Sequence, residues 1–299
     1  MDVTSQGWVH TFTVAVTGEP EQVFAALTTP EALTRWFADH VQIDPQVDGA
    51  YRFWGRHAYG TRTATDATQR ITHFEPPRAL GFTWPFENQP SEVRLTLTPA
   101  EPDAAGARTT VALSHAFPER LSVPWGDELV DDLWRLTLGN LDAYLRGGDE
   151  IVLPDYANPD PEIRLSTVIH APRARVFHAL IDPGQMNAWV AAAADVDPHV
   201  GGRYRYGWTY KFGDRDVVGG PTTILDLVPN ERLVTDWLDW RGDPTRPPTR
   251  LSWILEDVDG GTSATLIHGG FSRVADYSDY PFGWAYFMGK LKATVENTV

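Results

Sequence analysis

Displaced by 153 residues, the chain lies on itself. Val23, Phe24, Ala26 and Leu27 fall on Val176, Phe177, Ala179 and Leu180, and Pro30 and Trp36 fall on Pro183 and Trp189. Asp44, Pro45, Val47, Gly49, Tyr51 and Arg52 meet Asp197, Pro198, Val200, Gly202, Tyr204 and Arg205. The register persists through Trp84 and Trp237 to His115 and His268. Near the C-termini the offset becomes 150, so that Trp134, Gly139 and Leu141 meet Trp284, Gly289 and Leu291. A repeat of this length is far longer than a solenoid unit, so each copy is expected to be a whole domain. A chain of 299 residues also suits two domains of ordinary size. The expected division is residues 1–148, a linker at 149–161 and residues 162–299. Glycine, proline and acidic residues across the joint (GGDEIVLPDYANPDP) read as an exposed tether.

Within copy one, VHTFTVAV at Val9–Val16 alternates as a strand does. Val23, Phe24 and Leu27 then recur at helical spacing. Pro30 suits the first turn of a second helix, where its missing N–H costs nothing. After Asp39 the period becomes two, giving six strands with turn residues at Asp48-Gly49 and Ala105-Gly106. Gly126–Arg146 reads as one long helix with Leu129, Leu133, Trp134, Leu138, Leu141 and Leu145 on its apolar side. Copy two is expected to repeat this order. The fold class is therefore α+β: in each copy a curved antiparallel sheet of about seven strands grips a long C-terminal helix, with two short helices beside it. A curved sheet cannot touch a straight helix everywhere, so a cavity between them is expected.

The composition narrows the function. The net charge is −15, which repels nucleic acid and anionic membrane surfaces. No run of about 18 apolar residues is present to span a bilayer, and Met1–Gly7 lacks the basic start and apolar stretch of a signal peptide, so cytoplasmic residence is the expectation. The absence of cysteine removes disulfides and thiolate chemistry. No HExxH, GxSxG or glycine-rich phosphate motif occurs, and the histidines show no metal-ligand pairing, so no metal, cofactor or catalytic residue is assigned.

Strand parity selects an aromatic interior from the twelve tryptophans and their neighbours. In copy one the inward set is Tyr51, Phe53, Phe82, Trp84, His115 and Phe117, joined by Trp134 of the long helix. In copy two it is Tyr204, Tyr206, Trp208, Trp237, Trp253, His268 and Phe271, joined by Trp284. These are the candidate ligand-binding residues. Arg52 and Arg205 have the opposite parity and face away. The paired histidines admit two readings: a core imidazole satisfied by a tyrosine or backbone carbonyl, or a polar anchor for a ligand oxygen.

The segments PEQVFAALTTPEALTRWF, DGAYRFW, RALGFTW and TTVALSHAF, with PRARVFHALIDPGQMNAWV, GGRYRYGW, RLVTDW and TSATLIHGGF in copy two, resemble the START/Bet v 1-like superfamily. More narrowly they resemble the subgroup named after the heat-shock-protein ATPase activator. The resemblance covers both copies. It implies the helix-grip fold and an apolar cavity rather than one chemistry. Duplicated members in polyketide and enediyne pathways point to a lipid-like, polyketide or polyene ligand, held by a carrier, sequestering or accessory protein. An aromatase/cyclase-type enzyme and a co-chaperone-like interaction module are the alternatives. The interaction module would have a filled, ligand-free core.

Overall fold

The structure is a computed structural model, describing residues 7–61, 63, 68–104 and 106–297. Residues 1–6, on which most of the leader reading rests, and Ala105 of the expected turn lie outside the described residues. The chain divides into two units. Unit 1 is Met1–Asn158 with Arg273–Asp279, and unit 2 is Pro159–Ser272 with Tyr280–Val299.

Unit 1 runs β1 (Trp8–Thr17), α1 (Pro20–Thr28), α2 (Pro30–Trp36), β2 (His40–Ile43), β3 (Tyr51–Trp54), β4 (Ile71–Glu75), β5 (Ala79–Phe86), β6 (Gln89–Asp103), β7 (Gly106–Phe117) and α3 (Gly126–Leu145). Five strands form an antiparallel sheet in the order β1-β7-β6-β5-β4. The β2–β3 hairpin extends it through a bridge between Ala50 and Arg70. Alternation along the strands buries one face: Val93, Leu95 and Leu97 of β6 and Val111, Leu113, His115 and Phe117 of β7 are all buried. Against that face α3 lays Leu129, Leu133, Trp134, Leu138 and Leu141. This is the helix-grip architecture expected from the sequence.

Unit 2 repeats it with β8 (Glu162–Ile169), α4 (Arg173–Ile181), α5 (Pro183–Trp189), β9 (Asp195–Val196), β10 (Tyr204–Arg205), β11 (Trp208–Phe212), β12 (Arg215–Gly219), β13 (Ile224–Val228), β14 (Arg232–Trp237), β15 (Thr249–Val258), β16 (Gly261–Gly269) and α6 (Tyr280–Asn297). Its main sheet has the order β13-β14-β15-β16-β8. One difference from the expected order is the β11–β12 hairpin, which has no strand counterpart among the described residues of unit 1. Its first residue is Trp208, where the repeat places Gly55 in unit 1.

Several recurring residues are explained by contacts made once in each unit. A Cβ on Gly49 would lie 2.1 Å from Asp44 O, and one on Gly202 would lie 2.0 Å from Asp197 O, so only glycine closes these two hairpin loops. Trp36 Nε1 donates to Ala26 O at 3.1 Å and Trp189 Nε1 to Ala179 O at 2.9 Å, tying each second helix to the first. Tyr51 Oη donates to Leu27 O at 2.7 Å and Tyr204 Oη to Leu180 O at 2.6 Å. These hydroxyls close the last turn of α1 and α4 rather than facing a cavity.

The joint between the copies differs from the exposed tether that its composition suggests. Ile151–Tyr156 are half-buried, and unit 1 extends to Asn158. Unit 1 also includes a short 3₁₀ turn, Val274–Tyr277, from the far end of the sequence. Ala275 joins the unit 1 core, and Arg273 donates to the carbonyls of Pro124 and Trp125.

Candidate functional site

Each unit places its repeated histidine at the centre of one conserved hydrogen-bond chain. In unit 2 the Trp284 indole N–H donates to His268 Nδ1 at 3.1 Å, which fixes the ring proton on Nε2. Nε2 then donates to Thr249 Oγ1 at 2.8 Å, and that hydroxyl donates to Trp237 O at 3.3 Å. In unit 1 Trp134 donates to His115 Nδ1 at 3.1 Å, His115 Nε2 meets Ser91 Oγ at 2.7 Å, and Ser91 donates to Trp84 O at 2.5 Å. Thr249 and Ser91 face Trp237 and Trp84 across the equivalent strand pair. Both histidines are fully buried, and burial pushes their pKa from 6.5 down to about 3. Each imidazole is thus neutral with both nitrogens engaged. Their partners are an indole and a hydroxyl, not the tyrosine or backbone carbonyl expected of a satisfied core histidine.

Around these chains the two units diverge. In unit 1 Trp84 lies 5.0 Å from Phe53, 5.3 Å from Phe86 and 5.8 Å from Trp134, and stacks on His115 at 5.7 Å, all between ring centroids. Tyr51 stacks on Phe82 at 4.4 Å, and Phe117 packs on His115 at 4.2 Å. The cavity beside Trp84 is only ≈ 10 Å³, room for about one water. Leu133 of α3 and Leu153, Pro154 and Tyr156 of the joint are among its walls. The seven residues assigned to a ligand in copy one therefore pack against one another around this small void.

In unit 2 an open cleft of ≈ 80 Å³ lies between the sheet and α6, lined by Trp208, Trp237, Tyr280, Gly283, Trp284 and Phe287. Trp208 stacks on Phe287 at 5.5 Å, and Trp237 crosses Trp284 at 4.9 Å. Three of the lining residues were legible from strand parity or the helix repeat: Trp208, Trp237 and Trp284. Of the other candidates in copy two, Tyr204 and Trp253 are buried outside the lining, Tyr206 is buried behind it against Trp208 at 5.0 Å and Trp237 at 6.1 Å, and Phe271 and His268 pack on each other at 4.6 Å. Tyr280, Gly283 and Phe287 were missed. The signal for them lies in the repeat: at the offset of 150 they fall on Val130, Leu133 and Thr137, so α6 changes size at three successive inward positions.

The lining offers no free hydrogen-bond donor from its indoles. Trp208 Nε1 donates to Val190 O at 2.8 Å, Trp237 Nε1 to Tyr280 Oη at 3.0 Å, and Trp284 Nε1 to His268. What the indoles leave for a guest is their ring faces and edges. No group of three or more His, Asp or Glu side chains suited to a metal occurs among the described residues. No helix among them is long and apolar enough to cross a membrane.

The family described as activator of Hsp90 ATPase homolog 1-like protein matches residues 18–146 and again residues 170–296. The chain belongs to this family, in two tandem copies. A solved protein from Mesorhizobium loti is 23% identical over 46% of this chain and 99% of its own, with a TM-score of 0.38. DynU16, a protein in the dynemicin biosynthetic locus, is 19% identical over 96% of this chain and 98% of its own, with a TM-score of 0.38. A family relative from Rhizobium etli is 27% identical over 46% of this chain and 83% of its own, with a TM-score of 0.37. No curated protein matches the chain.

Proposed function

We propose that the protein binds an apolar small molecule in the cleft of unit 2, between β14 and α6. The observation that carries this reading is the glycine at position 283. Leu133 fills the corresponding place in unit 1, and an added Cβ at Gly283 would meet nothing within 4 Å. The cleft exists because one helix position lacks a side chain. Its volume of ≈ 80 Å³ suits one ring or one segment of a flat chain, with the remainder of the ligand lying along Trp208 and Phe287. Lipid-like chains, polyenes and polyketide intermediates share such apolar segments. Because the wall indoles spend their N–H groups on protein acceptors, affinity comes from shape and dispersion rather than hydrogen bonding.

The same geometry disfavours proton transfer by His268. A general acid or base needs a free nitrogen and a pKa near neutrality. His268 has neither, which supports binding over cyclase chemistry at this residue.

Titration with 2-ethylnaphthalene, followed by tryptophan fluorescence, tests the reading. The native chain should bind it, and Gly283→Leu should weaken binding at least tenfold while leaving the far-ultraviolet dichroism unchanged. Equal binding by the two chains would remove the cleft as the site. Absence of binding by the native chain at millimolar probe would remove the carrier reading for unit 2.

A further inference from the structure

We propose that unit 1 holds a second site, for a flat neutral molecule carrying carbonyl or hydroxyl oxygens, and that the chain's own segment Ile151–Tyr156 occupies its mouth. The inference does not depend on the unit 2 cleft.

The segment is held as a bound peptide is held. Asn140 of α3, itself buried, grips one residue twice: Nδ2 donates to Val152 O at 2.7 Å and Oδ1 accepts from Val152 N at 2.8 Å. His57 Nδ1 donates to Pro154 O at 2.9 Å, and Tyr156 N donates to Arg56 O at 3.0 Å. The Tyr156 ring stands edge-on to Tyr59 at 5.4 Å. Leu153, Pro154 and Tyr156 thereby cover a surface formed by Phe37, Tyr59, Trp84, Leu133 and Thr137.

That surface contains an unmet demand. Trp84 is 1% exposed, lines the site, and its indole N–H has no hydrogen-bond partner. A buried donor left without an acceptor is costly. In unit 2 the equivalent Trp237 gives its N–H to Tyr280. The repeat puts Val130 at that position in unit 1, and valine has nothing to accept with. A ligand oxygen would supply the missing acceptor. The segment itself shows what the remaining polar groups recognise, since both Asn140 Nδ2 and His57 Nδ1 donate to carbonyl oxygens. With the segment lifted, aromatic faces and three donor-bearing side chains, His57, Trp84 and Asn140, line one pocket of mixed polarity. The Asp39 carboxylate, 3.6 Å from His57 and 3.7 Å from Arg56, and the Glu87 carboxylate bonded to Tyr59 neighbour the lining residues and disfavour an anionic guest. The aromatic lining, its donors and the neighbouring carboxylates together favour a neutral, oxygenated aromatic over a fatty acid or a phosphate ester.

The experiment uses the full chain carrying Gly283→Leu, so that unit 2 contributes no signal, and compares 2-acetylnaphthalene with 2-ethylnaphthalene. Replacing Leu153 and Tyr156 together by glycine should raise affinity for the ketone at least tenfold over the chain with the segment intact. The ketone should bind several-fold tighter than the hydrocarbon, and Trp84→Phe should abolish that preference. Equal binding of the two probes, or no gain on opening the segment in a chain with native dichroism, would overturn the proposal. A second measurement needs no change in the segment: saturating 2-acetylnaphthalene should speed amide hydrogen exchange across residues 151–156. Unchanged exchange at millimolar ketone would overturn it equally. Loss of the unit 2 cleft affects neither arm, so the two readings fail separately.

Discussion

Unit 1 and unit 2 share a sheet order, a helix grip and a buried histidine chain, yet beside that chain unit 1 leaves a void of ≈ 10 Å³ and unit 2 an open cleft of ≈ 80 Å³. The contrast sits at few positions. Val130, Leu133 and Thr137 on α3 become Tyr280, Gly283 and Phe287 on α6, and Gly55 becomes Trp208. Aromatic rings are gained at three of these positions and the side chain is lost at the fourth, leaving a gap beside Gly283. Unit 1 takes the opposite course, with leucine at the helix and a covering segment outside. A duplicated fold can therefore keep its framework chemistry fixed while changing what its interior admits, because framework and cleft use different faces of the same helix turn. Trp284 spans both roles: its N–H belongs to the histidine chain and its ring to the cleft.

If the histidine chain is framework, breaking it should cost both units alike. Substituting His115 or His268 with alanine removes a fully buried ring and strands an indole donor and a hydroxyl. The expected destabilisation is about 3 kcal/mol for either change. Thermal unfolding of each full-length variant checks this. A large loss at His115 with a negligible one at His268 would mean that the open unit does not use its histidine as the closed one does.

Acid provides a milder test of the same symmetry. His115 and His268 titrate near 6.5 when unfolded and at about 3 when folded, because burial disfavours the imidazolium. Between these values the unfolded chain binds a proton that the folded chain does not. Stability is therefore complete above pH 6.5 and falls as the pH drops toward 3. The slope is about 1.4 kcal/mol per pH unit for each histidine, or about 2 kcal/mol each at pH 5. Unit 1 should be the more acid-sensitive, since His10 on β1 is also lowered by burial, against the partly opposing fields of Asp127 and Asp131. Calorimetry from pH 7 to pH 5 should show unit 1 weakening first. A flat profile would mean that the imidazoles are solvated.

The framework was legible in the sequence and the cleft only partly so, for a physical reason. Strand alternation and helix periodicity report which residues turn inward, and nearly every residue so chosen is buried. Tyr51, Phe53, Trp84, Tyr204 and Trp253 illustrate it. Periodicity does not report whether inward residues touch one another or leave a gap, because that depends on volumes summed across elements distant in sequence. Likeness between the copies points to Trp84 with Trp237 and Trp134 with Trp284. The deciding information lay where the copies differ, as at Leu133 and Gly283. The joint at 149–161 misleads in another way. Its prolines and acids suit a tether, but Leu153, Pro154 and Tyr156 are apolar, and Asn140 on α3 supplies the backbone bonds that let the segment settle on unit 1.

The smallest expected effect bears on the paired tryptophans. Tyr280→Phe deletes the acceptor for Trp237 Nε1 and keeps the ring that lines the cleft, placing Trp237 in the condition of Trp84. The loss of one buried hydrogen bond should cost about 1 kcal/mol, seen as a fall of a few degrees in the melting temperature. Binding of 2-ethylnaphthalene should change little, because the hydrocarbon asks nothing of the N–H. Binding of 2-acetylnaphthalene should improve, because its oxygen can now replace the deleted hydroxyl. If the ketone gains nothing, an unpaired indole N–H in this fold is met by water rather than by ligand, and the same would then hold for Trp84.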